Sequence, residues 1–162
     1  MRVGAEESQG REIWVPGTIE LQTLRNPWKG KPRVFKTKWF QRFARKEKIA
    51  DAALLEAVSR AEKGQIDVDL GGGVIKQRVA RPGQGKSGGY RTIVLFRRGE
   101  RAFFVYGFPK SARDNIDESD ERGFKELARV LLSASDEALA GLLAKGKYVE
   151  VSSDETQQGL QE

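Results

Sequence analysis

Lys76 and Arg78 stand two residues apart in "VIKQRVA", a stretch whose apolar residues alternate. Alternation of this kind predicts a β-strand, and a separation of two puts both cations on one face of it. Two unpaired cations are costly to bury, so they must meet solvent or a charged ligand. Arg91 heads the next apolar stretch, "YRTIVLF", and Lys110 and Arg113 follow the one after it in "GFPKSAR". Three neighbouring segments thus converge on one cationic site. Residues 74–113 hold ten Lys/Arg against the single acid Glu100, a net +9, whereas residues 114–162 hold five against twelve acids, a net −7. A basic block of this size inside a chain of net charge +6 points to phosphate as its ligand.

That site suits a phosphodiester. In RNA the 2′-hydroxyl is an internal nucleophile, so a protein need only orient it, stabilise the charged phosphorane and assist proton transfer. Arginine performs the first two tasks through its planar fork. A lysine crowded by other cations trades its proton more readily and serves as acid or base. DNA has no 2′-hydroxyl, so this route selects RNA. The chain contains no histidine and no cysteine, which removes Ser-His triads, thiolate metal sites and disulfides. We expect no metal and no cofactor. "LGGGV" at 70–74 and "GKS" at 85–87 lack the spacing and the following helix of a phosphate-binding P-loop. "DVD" at 67–69 reads as a solvated turn before the first alternating strand.

The segment "RPGQGKSGGY" is read as a wide cationic hairpin loop. Its glycines would let the backbone approach a nucleic acid closely, with Lys86 and Arg81 as RNA contacts and Tyr90 as a base-stacking residue.

The elements that must position these residues follow from periodicity. "VFK" at 34–36 reads as a short strand, after which Thr37 caps a helix through "KWFQRFARKEKI". A second helix starts at an Asp51 cap and stops at Gly64, giving a helical hairpin. Three antiparallel strands follow, the last two joined by "RRGE". A helix begins near Asp117 in a run of carboxylates, another begins at Ser135, and "KYVEV" adds an edge strand. The fold expected is α+β: an N-terminal helical hairpin, then a small antiparallel sheet, then C-terminal helices. Residues 1–33 read as an extension with a short hairpin around Pro16–Gly17, and 34–132 as the main domain. Residues 133–151 then supply a helix and edge segment, and 152–162 a polar, disordered tail. The apolar runs are too short to span a membrane, and a cytoplasmic protein is expected.

"KQRVARPGQGKSGGYRTIVLF" together with "FFVYGFPKSARDNI" and the acidic helix after it resembles toxins of the RelE/HigB type from bacterial type II toxin–antitoxin systems. The resemblance covers about residues 34–145. It implies a RelE-like fold and an endoribonuclease (mRNA interferase) that cuts mRNA in the ribosomal A site and is neutralised by a cognate antitoxin. By position it implies catalytic roles for Lys76, Arg78, Arg91 and Lys110, and RNA binding by Arg113. The family's tyrosine or histidine near the chain's end has no counterpart here, where the chain reads "DNI"; Tyr90, Tyr106 or a lysine stands in. A ParE-like gyrase inhibitor without nuclease activity, and a non-catalytic RNA-binding member, share the same fold.

Overall fold

Thr37 ends one element and starts the next. Its hydroxyl accepts the N–H of Phe40 at 3.1 Å, which satisfies one of the unpaired donors at a helix start. The computed structural model describes residues 31–81, 85–109 and 116–152. In it, strand β1 is Arg33–Thr37 and helix α1 is Lys38–Glu47. Helix α2, Asp51–Glu62, follows at once and ends before Gly64. Asp51 does not cap α2: Ala50 holds that position without a side-chain bond. Asp51 instead accepts Lys36 Nζ at 3.0 Å, which ties α2 to β1.

Strands β2 (Val68–Gly71) and β3 (Val74–Arg81) then form a hairpin. Gly72 and Gly73, with φ of 64° and 85°, make its two-residue turn, since both central positions of such a turn need the left-handed region. The "DVDLGGG" stretch is therefore half strand, where the sequence suggested a turn alone. β4 (Gly85–Arg97) and β5 (Arg101–Pro109) complete a meander. Helices α3 (Glu118–Ser133) and α4 (Asp136–Ala144) and the short strand β6 (Tyr148–Val151) close the fold. Asp117 caps α3 in a reciprocal capping box with Asp120, and Ser135 caps α4.

The architecture is α+β, with two corrections to the expected order. A strand precedes the first helices, and the sheet is mixed and six-stranded, ordered β2-β3-β4-β5-β1-β6. α1 and α2 carry the chain from β1 to the far edge at β2. The meander returns from there, so β5 arrives parallel to β1. β6 then pairs antiparallel on the outer side of β1.

Each sheet face has its own core. Phe40, Ala44, Leu54, Ala57 and Val58 of α1 and α2 pack on Ile75, Val79, Tyr90, Val94 and Phe104. Ala128, Leu131, Leu132 and Leu139 of α3 and α4 pack on Val74, Ile93, Leu95 and Phe103 of the other face. Buried Arg101 joins the two C-terminal helices: it donates to the Leu131 carbonyl at 2.8 Å and pairs with Asp136 at 3.1 Å. No helix among the described residues is long and apolar enough to cross a membrane.

The glycine-rich stretch has a different role from the one its composition suggested. β4 begins at Gly85 and pairs with Arg81, so residues 85–89 belong to the sheet, not to a wide loop. The register shifts between Val79 and Arg81, and a methyl group at Gly89 would lie 2.0 Å from the Val79 carbonyl oxygen. Gly89→Ala must push β3 and β4 apart. We expect it to destabilise by about 3 kcal/mol, the upper end of overpacking costs. Gly123→Ala, in open space on α3, should stabilise by ~0.5–1 kcal/mol. Denaturant melts of the two variants check the contrast; equal effects would refute the close approach at Gly89.

Candidate functional site

The register of the meander places the candidate residues in rows. Lys76 is opposite Ile93, which is opposite Tyr106. One row along, Arg78 is opposite Arg91, which is opposite Phe108. Both rows lie on the sheet face that bears α3 and α4, because Ile93 packs in that core. The helices cover the Val74–Leu95–Phe103 part of the face. Beyond it the Arg78 side chain is 42% exposed.

Two arginines directly opposite on antiparallel strands stand roughly 5 Å apart at Cβ and repel. The structure treats them differently. Arg78 is paired: its guanidinium donates to Asp67 Oδ1 at 3.1 and 3.3 Å, and its backbone N–H donates to Oδ2 at 2.7 Å. Arg91 is half-buried, and its Nη1 is buried without a hydrogen-bond partner among the described residues. Such a donor is costly to leave unmet, and an anion on this face would satisfy it. Lys76 is half-buried and has no hydrogen-bond or ion-pair partner among the described residues.

A polar network behind β3 fixes Arg78. Gln77, 1% exposed, points to the α1–α2 face. Its amide donates to the carbonyls of Ala57 at 2.9 Å and Gln65 at 3.3 Å, and its Oε1 accepts the Asp67 N–H at 2.8 Å. Thr92, wholly buried, donates to the Gln77 carbonyl at 2.8 Å. Arg60 of α2 donates to the Arg78 carbonyl and stands 3.7 Å from Asp67. Burial of Asp67 raises its carboxyl, but the hydrogen bonds from Arg78 and the charges of Arg78 and Arg60 outweigh this and hold it below the usual carboxylate range. Neither Gln77 nor Asp67 was singled out for the site from sequence. A glutamine on the apolar face of an alternating strand was the available signal.

Two expected site residues are elsewhere. Tyr90 precedes Arg91 on an extended strand, so it faces the opposite side. It is 1% exposed, its hydroxyl donates to Glu47 Oε1 at 3.1 Å, and Phe43 meets its ring edge-on. Burial and then the Glu47 contact push its phenol above the ordinary value, so it remains protonated. Tyr90 is a core residue and offers no surface to a base. Arg81 lies over the Tyr90 ring at 5.5 Å, held to that same side by the register shift. The Lys86 side chain, Lys110 and Arg113 lie outside the described residues, as does the proposed hairpin at Pro16–Gly17.

Residues 32–151 match the family model described as the RelE toxin of the RelE / RelB toxin-antitoxin system. The chain belongs to the RelE toxin family. No curated protein resembles it closely enough to count as a match. The matched span contains every described element, from β1 to β6, and with them the paired arginines. RelE toxins are the toxic half of a toxin–antitoxin system, so the family implies an antitoxin partner.

The Asp67–Arg78 contact should appear in the acid limb of stability. Because the folded Asp67 carboxyl is depressed, its contribution is complete above about pH 4, the ordinary carboxylate value, and is lost as pH falls through the folded one. Melts of wild type and Asp67→Asn from pH 7 to 3 should show the variant less stable at neutral pH, with the gap closing toward pH 3. A gap independent of pH would contradict the pairing.

Proposed function

We propose that this RelE-family protein is an mRNA interferase of the HigB-like kind, a ribosome-dependent endoribonuclease acting in the cytoplasm and neutralised by a cognate antitoxin. The observation that carries the reading is the Arg91 Nη1 donor. It is buried and unpartnered among the described residues, opposite Arg78 and one row from Lys76.

In the reaction the 2′-oxygen of the cleaved nucleotide attacks the adjacent phosphorus and loses its proton. The phosphorus–O5′ bond then breaks, and the departing 5′-oxygen takes up a proton. The products are a 2′,3′-cyclic phosphate and a 5′-hydroxyl. Arg91 and Arg78 hold the non-bridging oxygens, whose charge grows in the phosphorane, so their contacts are strongest where they lower the barrier. Arg78 meets the phosphate as a preset donor, because Asp67 and Gln77 have already fixed the strand beneath it. Lys76 stands where a proton donor or a further cation is needed, and Lys110 carries the same role by its place after β5. Lys86 and Arg113 extend the phosphate contacts along the strand. Tyr90 takes no part.

The reading is tested on ribosomes programmed with a defined mRNA, mapping 5′ ends by primer extension. Wild type should cut within the A-site codon. Arg91→Ala should cut at least roughly a hundredfold more slowly, as when one preorganised donor to a developing anion is removed. Intact mRNA with a wild type still toxic to cells would overturn the nuclease and direct attention to gyrase.

A further inference from the structure

The cationic rows do not end in aliphatic residues. On β5 the Lys76 row finishes at Tyr106 and the Arg78–Arg91 row at Phe108, with the two rings 6.0 Å apart. Tyr106 also meets Phe124 of α3 at 6.4 Å. β1 pairs with β5 only as far as Phe104, so past that point the β1 side of β5 meets the start of α1 instead. Trp39, in the first turn of α1, fills this corner. Its indole lies 4.8 Å from the Tyr106 ring, tilted by 30°, and stacks on Phe43 at 5.4 Å and 14°. Trp39 is nevertheless 40% exposed, one of three large apolar residues exposed among the described ones. The other two, Val68 and Val130, are aliphatic and have no such stack around them.

An aromatic that is supported by other rings and still open to solvent is the arrangement with which proteins hold an unpaired base. Adjacent strands are ~4.8 Å apart, so the aromatic end of each row lies about 10 Å at Cα from its β3 residue. That is the scale of one nucleotide from its phosphate to the far edge of its base. Cations at one end and stacked rings at the other match both halves of that ligand.

We propose that Trp39, supported by Tyr106, is a base-stacking site for the mRNA nucleotide next to the phosphate held by Arg78 and Arg91. The inference rests on the nuclease reading above and adds to it a subsite that contacts the base. Stacking of this kind tolerates every base, since each has a π-face, so the subsite positions the strand without selecting a codon.

The test is a cycle between protein and substrate on programmed ribosomes. Single-turnover cleavage is measured for wild type, Trp39→Ala and Trp39→Phe. Each is tested on mRNA with normal A-site bases and on mRNA with an abasic residue at each A-site position in turn. With normal bases Trp39→Ala should cut roughly 5- to 100-fold more slowly, the range found when one stacking residue is removed, and Trp39→Phe should recover most of the rate. With the abasic residue at the stacked position, wild type should fall to the rate of Trp39→Ala, and Trp39→Ala should lose nothing further. A purely structural role would slow Trp39→Ala equally on all substrates, and that result overturns the subsite. A wild-type rate in Trp39→Ala, with Arg91→Ala inactive, also overturns it and leaves the phosphate site standing. No cleavage by wild type on any substrate overturns both.

Discussion

Arg78 and Arg91 are held opposite each other on adjacent strands, and much of the surrounding structure serves to bear their repulsion. A single acid does most of this. Asp67 engages Arg78 through both backbone and guanidinium, while Arg60 approaches from the helix side and Gln77 fixes the Asp67 backbone from within the core. Arg91 receives no such partner among the described residues. The result is an asymmetric pair. One arginine is neutralised and rigid; the other keeps a donor in reserve. Such an arrangement costs stability and has use only if an anion arrives, since stability and function compete at a preorganised site.

The topology makes this exposure possible. α1 and α2 cover one face of the sheet fully enough to bury Gln77, Tyr90 and Thr92. α3 and α4 cover only part of the other, closing over Val74 and Leu95 and leaving the Arg78 row partly open. The close crossing at Gly89 and the bulge between Ile93 and Val94 set the register that puts Arg78 opposite Arg91 and Tyr106 in the Lys76 row. A shift of one residue in either strand would send these side chains into the apolar core beneath α1.

Much of this could be read from the residues in order. The alternation in "VIKQRVA" put Lys76 and Arg78 together, and the caps at Thr37, Asp117 and Ser135 marked their helices. The same period-two rule also separates Tyr90 from Arg91, so both could not serve one face. Side-chain chemistry had been weighed there without strand geometry. β2 was missed because "DVDLGGG" is dominated by turn formers, and its strand exists through pairing with β3. The parallel placement of β1 beside β5 depends on long-range pairing that no local pattern encodes. Asp67 was read as part of a turn because its partner, Arg78, is eleven residues away across a hairpin.

The central claim is that this row of arginines is where a phosphodiester binds. Arginine side-chain 15N–1H NMR of the protein, titrated with a 2′-O-methyl RNA oligonucleotide that cannot be cut, tests it most directly. The account predicts that Arg91 shifts first and furthest, with its Nη1 protons newly protected from exchange, and that Arg78 follows. Shifts centred on Arg97, Arg98 or Arg129, with Arg91 unmoved, would contradict it.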